Sequence, residues 1–146
     1  MRDMTFHCPT ESDTAAAGRE IARDLPSDAL VNLVGDLGAG KTFLVRAMAE
    51  ALGAKPIDVN SPSFALIHEY PRSDAPPIIH IDGYRLSDRP HEWEEIGIPE
   101  LLRSETIKFV EWPKEGFHSF HAQSVEIEIG VNNDDSRTIS VKSRAD

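Results

Sequence analysis

Residues 29–34 read Ala-Leu-Val-Asn-Leu-Val, an almost unbroken apolar run that stops at a glycine. A short run without alternation predicts a strand covered on both faces. After a glycine-rich stretch, apolar residues recur at Leu44, Ala47, Met48, Ala51 and Leu52, the spacing of one helix face, and Gly53 stands where a helix end favours glycine. Upstream, Thr10 with Asp13 three positions on reads as a helix start, with helix over 15–25 ended by Pro26. Strands are expected over 64–70 and 78–82, joined as a hairpin across the turn-rich segment 71–77, and over 106–110 before Glu111-Trp112-Pro113. Asp88, Pro90 and the acidic cluster Glu92, Glu94 and Glu95 predict a short helix stopped by Gly97. Segments 125–129 and 138–141 alternate apolar and polar residues across Asn-Asn-Asp-Asp-Ser, which predicts a second hairpin with one wet face. No repeat, low-complexity tract or linker divides the chain, so residues 1–146 are expected to form a single α/β domain. Its mixed sheet should be parallel at the core and antiparallel at an edge hairpin, flanked by helices in three layers.

The loop between that first strand and helix carries the chemistry. Gly35, Gly40, Lys41 and Thr42 match G-x-x-x-x-G-K-[ST], the phosphate-binding pattern, and the strand before and helix after are the context it requires. Chance gives the pattern in roughly one chain of this length in two hundred. The spacing has a physical reason. Glycines let successive N–H groups along Asp36-Leu37-Gly38-Ala39-Gly40 turn into one hollow, and the helix that follows adds its positive end. Lys41 can reach β and γ phosphates as a movable charge, and the Thr42 hydroxyl is placed to ligate Mg²⁺. ATP with Mg²⁺ is the expected ligand, because no Asn-Lys-x-Asp sequence is present to read guanine. Such a cradle also needs an acid for the metal and a group to orient water. Asp82 and Glu111 both end predicted strands, where open parallel sheets bind ligands, and the residues alone do not assign the two roles between them. Ser61-Pro62-Ser63-Phe64 falls where many such proteins keep a segment that senses the γ-phosphate.

Composition narrows the setting. Asp and Glu number 25 against 15 Lys and Arg, a formal charge of −10, so bulk charge opposes direct contact with a nucleic-acid backbone. The single cysteine, Cys8, can form no internal disulfide and reads as a buried thiol in a reducing compartment. The six histidines lack metal-ligand spacing, and His80, alternating with the apolar residues of its strand, reads as packed rather than catalytic. Arg137 reads as a solvated hairpin residue, and no arginine finger is identifiable, so hydrolysis in isolation should be slow. No stretch approaches about 18 consecutive apolar residues and the N-terminus runs into no apolar signal region, which makes the cytoplasm the expected location.

Gly-Asp-Leu-Gly-Ala-Gly-Lys-Thr, Ser-Pro-Ser-Phe, His80-Ile81-Asp82-Gly83-Tyr84-Arg85-Leu86 and Glu111-Trp112-Pro113 occur in this order. With them the chain resembles the bacterial tRNA threonylcarbamoyladenosine biosynthesis ATPase family, TsaE or YjeE, from about Thr10 to the final strand. The resemblance implies a P-loop ATPase acting with TsaD and TsaB, and through them with tRNA, in adding threonylcarbamoyl to the adenosine 3′ of the anticodon. It implies Thr42 and Glu111 as Mg²⁺ ligands, Asp82 in hydrolysis and Ser63 in the switch-like segment. Trp112 would lie beside the nucleotide and Glu11 toward its base. The chain departs from the family pattern at Ser63 and Phe43, where threonine is usual, and at Gly83, where leucine is usual. Ser63 keeps its hydroxyl, Phe43 loses one beside the metal ligand, and Gly83 should loosen the strand end after Asp82. Two other readings share the strand-loop-helix start. A small-molecule kinase would need an acceptor pocket and a basic lid, yet 87–105 is net acidic. A non-hydrolysing, nucleotide-gated assembly factor would bind partners without releasing phosphate.

Overall fold

Thr10 caps the first helix as its spacing predicts. Its hydroxyl accepts from the Asp13 N–H at 3.2 Å while the Asp13 carboxylate accepts from the Thr10 N–H at 3.0 Å, a closed capping box. The computed structural model describes residues 1–36, 38–55, 66–121 and 123–145 of 146. The elements are β1 (Met4–Cys8), α1 (Glu11–Asp24), β2 (Leu30–Val34), α2 (Lys41–Ala51), β3 (Ile67–Tyr70), β4 (Ile78–Asp82), α3 (Pro90–Glu95), α4 (Ile98–Arg103), β5 (Lys108–Glu111), β6 (Gln123–Val131) and β7 (Arg137–Ala145). Because the box closes at Thr10, α1 begins at Glu11 rather than at residue 15. It stops where Leu25 turns extended, at ψ 133, as a residue preceding proline must.

The strands form one seven-stranded sheet in the order β1-β7-β6-β2-β5-β4-β3. Strands β6, β2, β5 and β4 are mutually parallel; β7 and β1 on one side and β3 on the other run antiparallel to their neighbours. The mixed sheet with a parallel core is as expected, but β1 pairs outside the β6–β7 hairpin, so that hairpin lies within the sheet. Neither β1 nor α4 announces itself in the pattern. α4 is under two turns long with Pro99 in its first turn, too short for a helical period to show. Of the strand expected over 64–70, residues 64 and 65 lie outside the described residues.

Alternation sorts the core onto the two faces of the sheet. Val31, Leu33, Phe109 and Ile78 pack with Ile21 of α1 and Leu44, Val45 and Met48 of α2. Leu30, Ile79, Ile81 and Val110 pack on the opposite face with Trp93 of α3 and Ile98 and Leu102 of α4. The result is three layers. Cys8 is buried, and burial pushes its thiol up, with the Thr14 hydrogen bond opposing and Asp13 adding to the effect. Among the described residues no helix is long and apolar enough to cross a membrane.

Several strand residues break the apolar rule, Lys108 among them. Lys108 on β5 is wholly buried, its ammonium donating to the Asp28 carbonyl at 2.8 Å and to the Ser104 carbonyl at 2.6 Å. Burial brings its pKa down from 10.5 to about 8, with nearby Asp28 opposing. Between those two values the unfolded chain holds more protons than the folded one, so stability rises with pH across that window. We expect the wild type to gain up to roughly 3 kcal/mol there, and Lys108→Met to lose that rise. Urea denaturation at pH 7.5 and pH 10 measures it; parallel slopes for the two proteins would contradict the assignment.

Candidate functional site

β2 ends at Val34 and the chain enters the loop at the carboxyl edge of the parallel strands. Gly38 and Gly40 take φ of 80° and 105°, left-handed values that favour glycine, and the space where a Cβ would stand is open at both. The Ala39 N–H donates to the Asp36 carbonyl at 3.0 Å, which tightens the turn. Gly40 is the cap of α2, and no side chain caps the first-turn amides of that helix. Leu37 lies outside the described residues.

Lys41, the first residue of α2, is buried. Its ammonium donates to the Gly35 carbonyl, lies 3.4 Å from the Asp36 carbonyl and sits 3.8 Å from the centre of the Trp112 ring. Burial lowers its pKa, opposed by Glu111, Asp36 and Asp82 in that order. The next residue, Thr42, points its hydroxyl at the Glu111 carboxylate, 3.2 Å from each oxygen. Glu111 ends β5, and Asp82 ends β4 directly opposite it in the parallel register. These strands thus deliver both acids to one edge. Asp82 accepts from the Tyr84 N–H at 2.9 Å, a local turn that holds its carboxylate. Glu111 also meets His80, whose Nε2 lies 2.6 Å from Oε2, while the His80 Nδ1 lies 2.7 Å from the Tyr70 hydroxyl.

Gly40, Lys41, Thr42, Asp82, Glu111 and Trp112 line one cavity of about 450 Å³, together with Gly38, Phe43, Tyr84 and Arg85. A cavity of about 370 Å³ at the other end of the sheet, bordered by Pro26, Leu30 and Val125, holds none of this chemistry. The oxygens of Thr42 and Glu111 are hard donors, and 3.2 Å suits neighbouring ligands of an octahedral cation such as Mg²⁺. Among the described residues no three His, Cys, Asp or Glu side chains could hold a metal by themselves.

The structure therefore brings Asp82, Lys41, Thr42, Glu111 and Trp112 together around the glycines of the loop. Asp36 and Ala39 belong to the loop, their backbones shaping the turn. Ser63 lies outside the described residues. Glu11 is exposed at the start of α1 and does not line the cavity. Two partners escaped the sequence reading. His80 is packed, as expected, but its ring also reaches the acid. Arg137 is half-buried, its Nε donating to the Ala39 carbonyl at 3.0 Å, so this hairpin residue braces the loop rather than standing free in solvent. The only hint of either lies in strand register, which pairs Asp82 with Glu111 and Cys8 with Arg137.

Gly83 is the larger correction. A Cβ there would stand 2.0 Å from the Trp112 carbonyl oxygen, while the Gly83 N–H donates to the Glu111 carbonyl at 2.8 Å. The glycine does not loosen the strand end; it lets two backbones touch. Trp112 itself has φ 54°, an unusual conformation for a bulky residue, and its ring takes the exposed Tyr84 edge-on at 5.3 Å.

Comparison with known proteins identifies the family. A family model described as "Threonylcarbamoyl adenosine biosynthesis protein TsaE" matches residues 8–139. The chain is similar to tRNA threonylcarbamoyladenosine biosynthesis proteins TsaE from several bacteria. It is 33% identical to the Haemophilus influenzae protein, covering 97% of this chain and 90% of that one. Identity to the Bacillus subtilis protein is 32%, covering 96% and 85%. Identity to the Streptomyces coelicolor protein is 42% over 96 residues, which spans 65% of this chain and 64% of that relative. The crystal structure of Bacillus subtilis YdiB shares the fold, with a TM-score of 0.70 at 24% identity, covering 99% of this chain and 87% of that one.

The Gly83 contact is directly testable. Gly83→Ala must push the Trp112 peptide away, at a cost of about 1–3 kcal/mol for overpacking, or several degrees in melting temperature. The Trp112 fluorescence should shift, over a constant background from buried Trp93. An unchanged melting point and spectrum would show that the two backbones do not meet.

Proposed function

The chain belongs to the TsaE family of tRNA threonylcarbamoyladenosine biosynthesis proteins, and on that premise we propose that it is the ATP-hydrolysing subunit of this modification machinery. It would bind ATP with Mg²⁺ and act with TsaD and TsaB in the cytoplasm. In this reading its hydrolysis supports threonylcarbamoyl transfer to the adenosine 3′ of the anticodon, and tRNA is met through the partners. One observation carries the reading: the Lys41 ammonium, the Thr42 hydroxyl and the Glu111 carboxylate converge at a glycine loop whose helix amides have no side-chain cap.

Each residue then has a task its position allows. The loop amides and the positive end of α2 hold phosphate oxygens. Lys41 leaves the carbonyls of Gly35 and Asp36 and reaches over the phosphates. Thr42 and Glu111 supply oxygens to Mg²⁺, which when bound neutralises charge on the phosphates. Glu111 is the better of the two acids for that role, because the Thr42 hydroxyl points at its carboxylate. Asp82, across the register, is left to orient water and take its proton. Trp112 walls the cavity on the side of Lys41 and limits access of bulk water.

Calorimetry with ATP and ADP, combined with phosphate release in the presence and absence of TsaD and TsaB, tests this. We expect Mg²⁺-dependent binding and a rate raised by the partners. Lys41→Ala should lower the rate about a hundredfold or more. Asp82→Ala should keep binding and lose release; release unchanged in that variant would favour a nucleotide-gated assembly factor. No Mg²⁺-dependent affinity, alone or in the complex, would refute the proposal.

A further inference from the structure

A chain of hydrogen bonds leads away from the phosphate loop into the sheet. It runs from the Thr42 hydroxyl to the Glu111 carboxylate, on to His80 Nε2 at 2.6 Å, and from His80 Nδ1 to the Tyr70 hydroxyl at 2.7 Å. His80 is wholly buried, Tyr70 is 1% exposed and Glu111 6% exposed, so water does not compete for these bonds. The ring packs at 5.7 Å from that of Tyr70, which fixes its plane. An ionised carboxylate only accepts, so Nε2 must carry the hydrogen, and in the neutral ring Nδ1 then accepts from Tyr70. Each nitrogen thus has one role.

We infer that His80, oriented by Tyr70, is a positioning residue that holds one oxygen of Glu111 and thereby fixes the carboxylate against Thr42 and the cation. This deepens the proposed function and rests on its reading of Glu111 as a cation ligand. The geometry supplies the reason. A glutamate at a strand end has three side-chain torsions, and a free carboxylate would sample many directions. Here His80 holds Oε2 from within the sheet at 2.6 Å, and the carboxylate so fixed stands with each oxygen 3.2 Å from the Thr42 hydroxyl, Oε1 being the one that His80 does not take. His80 reaches this place because β4 and β5 are parallel and in register, with Asp82 opposite Glu111, and because His80 shares the α2-facing side of β4 with Ile78. The Tyr70 hydroxyl arrives from β3, whose antiparallel register sets Tyr70 opposite Ile78 and so diagonal to His80. Partners of this kind behind a metal ligand typically change metal affinity tenfold to a hundredfold when removed. A purely structural histidine would act on folding alone and leave the response to the cation untouched.

The experiment is a calorimetric titration of the full chain with ADP, once with Mg²⁺ and once with EDTA, with melting temperatures recorded beside it. His80→Phe keeps the ring and removes the donor. It should cut the Mg²⁺-dependent gain in affinity about tenfold while leaving the affinity in EDTA unchanged. His80→Gln, whose amide nitrogen can donate from near the Nε2 position, should recover most of the gain, and Tyr70→Phe should lose a smaller part. A wild-type gain in His80→Phe, or an equal loss with and without Mg²⁺, would overturn the assignment. Should His80→Phe fail to fold, Tyr70→Phe decides: a loss confined to Mg²⁺ supports the role, and no loss or a uniform one removes it. A wild type whose affinity ignores Mg²⁺ overturns the cation reading and the positioning role together. A responsive wild type with equally responsive variants overturns the positioning role alone.

Discussion

Glu111 is a carboxylate taken out of water at the carboxyl end of a parallel sheet, and the surrounding groups are arranged around that fact. An unpaired buried charge would cost several kcal/mol, so it must be met by donors and by positive charge. Thr42 and His80 supply the donors, and Lys41 supplies the charge. These residues come from α2, β4 and the edge of the glycine loop. Only the β2-β5-β4 parallel register brings all of them to Glu111 at once. The sheet is therefore more than a scaffold for the loop, because its pairing delivers the second acid and the histidine behind the first.

The backbone just past Glu111 is held in an unusual shape by the same edge. Trp112 stays at φ 54° because Gly83 lies against its carbonyl and because its ring is pinned between the Lys41 ammonium and Tyr84. A conformation of that kind costs of the order of 1–3 kcal/mol and persists only where its surroundings over-determine it. Here the contacts on both sides do so. The glycine at 83 and the tryptophan at 112 are two halves of one feature, although the sequence separates them widely.

What could be read beforehand follows the range of each interaction. The phosphate loop, the capping box at Thr10 and the apolar face of α2 are local patterns within a few residues, and all stand where expected. Strands β2, β4 and β5 were legible because their apolar runs are short and bounded. The ends of the site were not. His80 reads as a packed residue from its alternation alone, and its hydrogen bond to Glu111 exists only once β4 is laid beside β5 in one register. Arg137 joins Ala39 only once β7 folds back beside β6, the neighbour of β2. The role of Gly83 was misread for the same reason: in the chain it looks like added freedom, and in the fold it is a place with no room for a side chain.

The charges around the cavity carry the argument one step further. Asp36, Asp82 and Glu111 all act on Lys41, and Arg85 is the other cation lining that space. A polyphosphate entering alone would meet carboxylates as readily as cations, within a chain that already carries a formal charge of −10. The amides of the loop offset part of that repulsion, but they are dipoles and carry no net charge. Under the proposed function, the site as built is therefore short of positive charge for ATP and suited to ATP accompanied by a divalent cation. On that proposal the burial of Glu111 beside Thr42 would write a requirement for the metal into the fold, and an acidic protein would hold an anion because the counter-ion arrives with it.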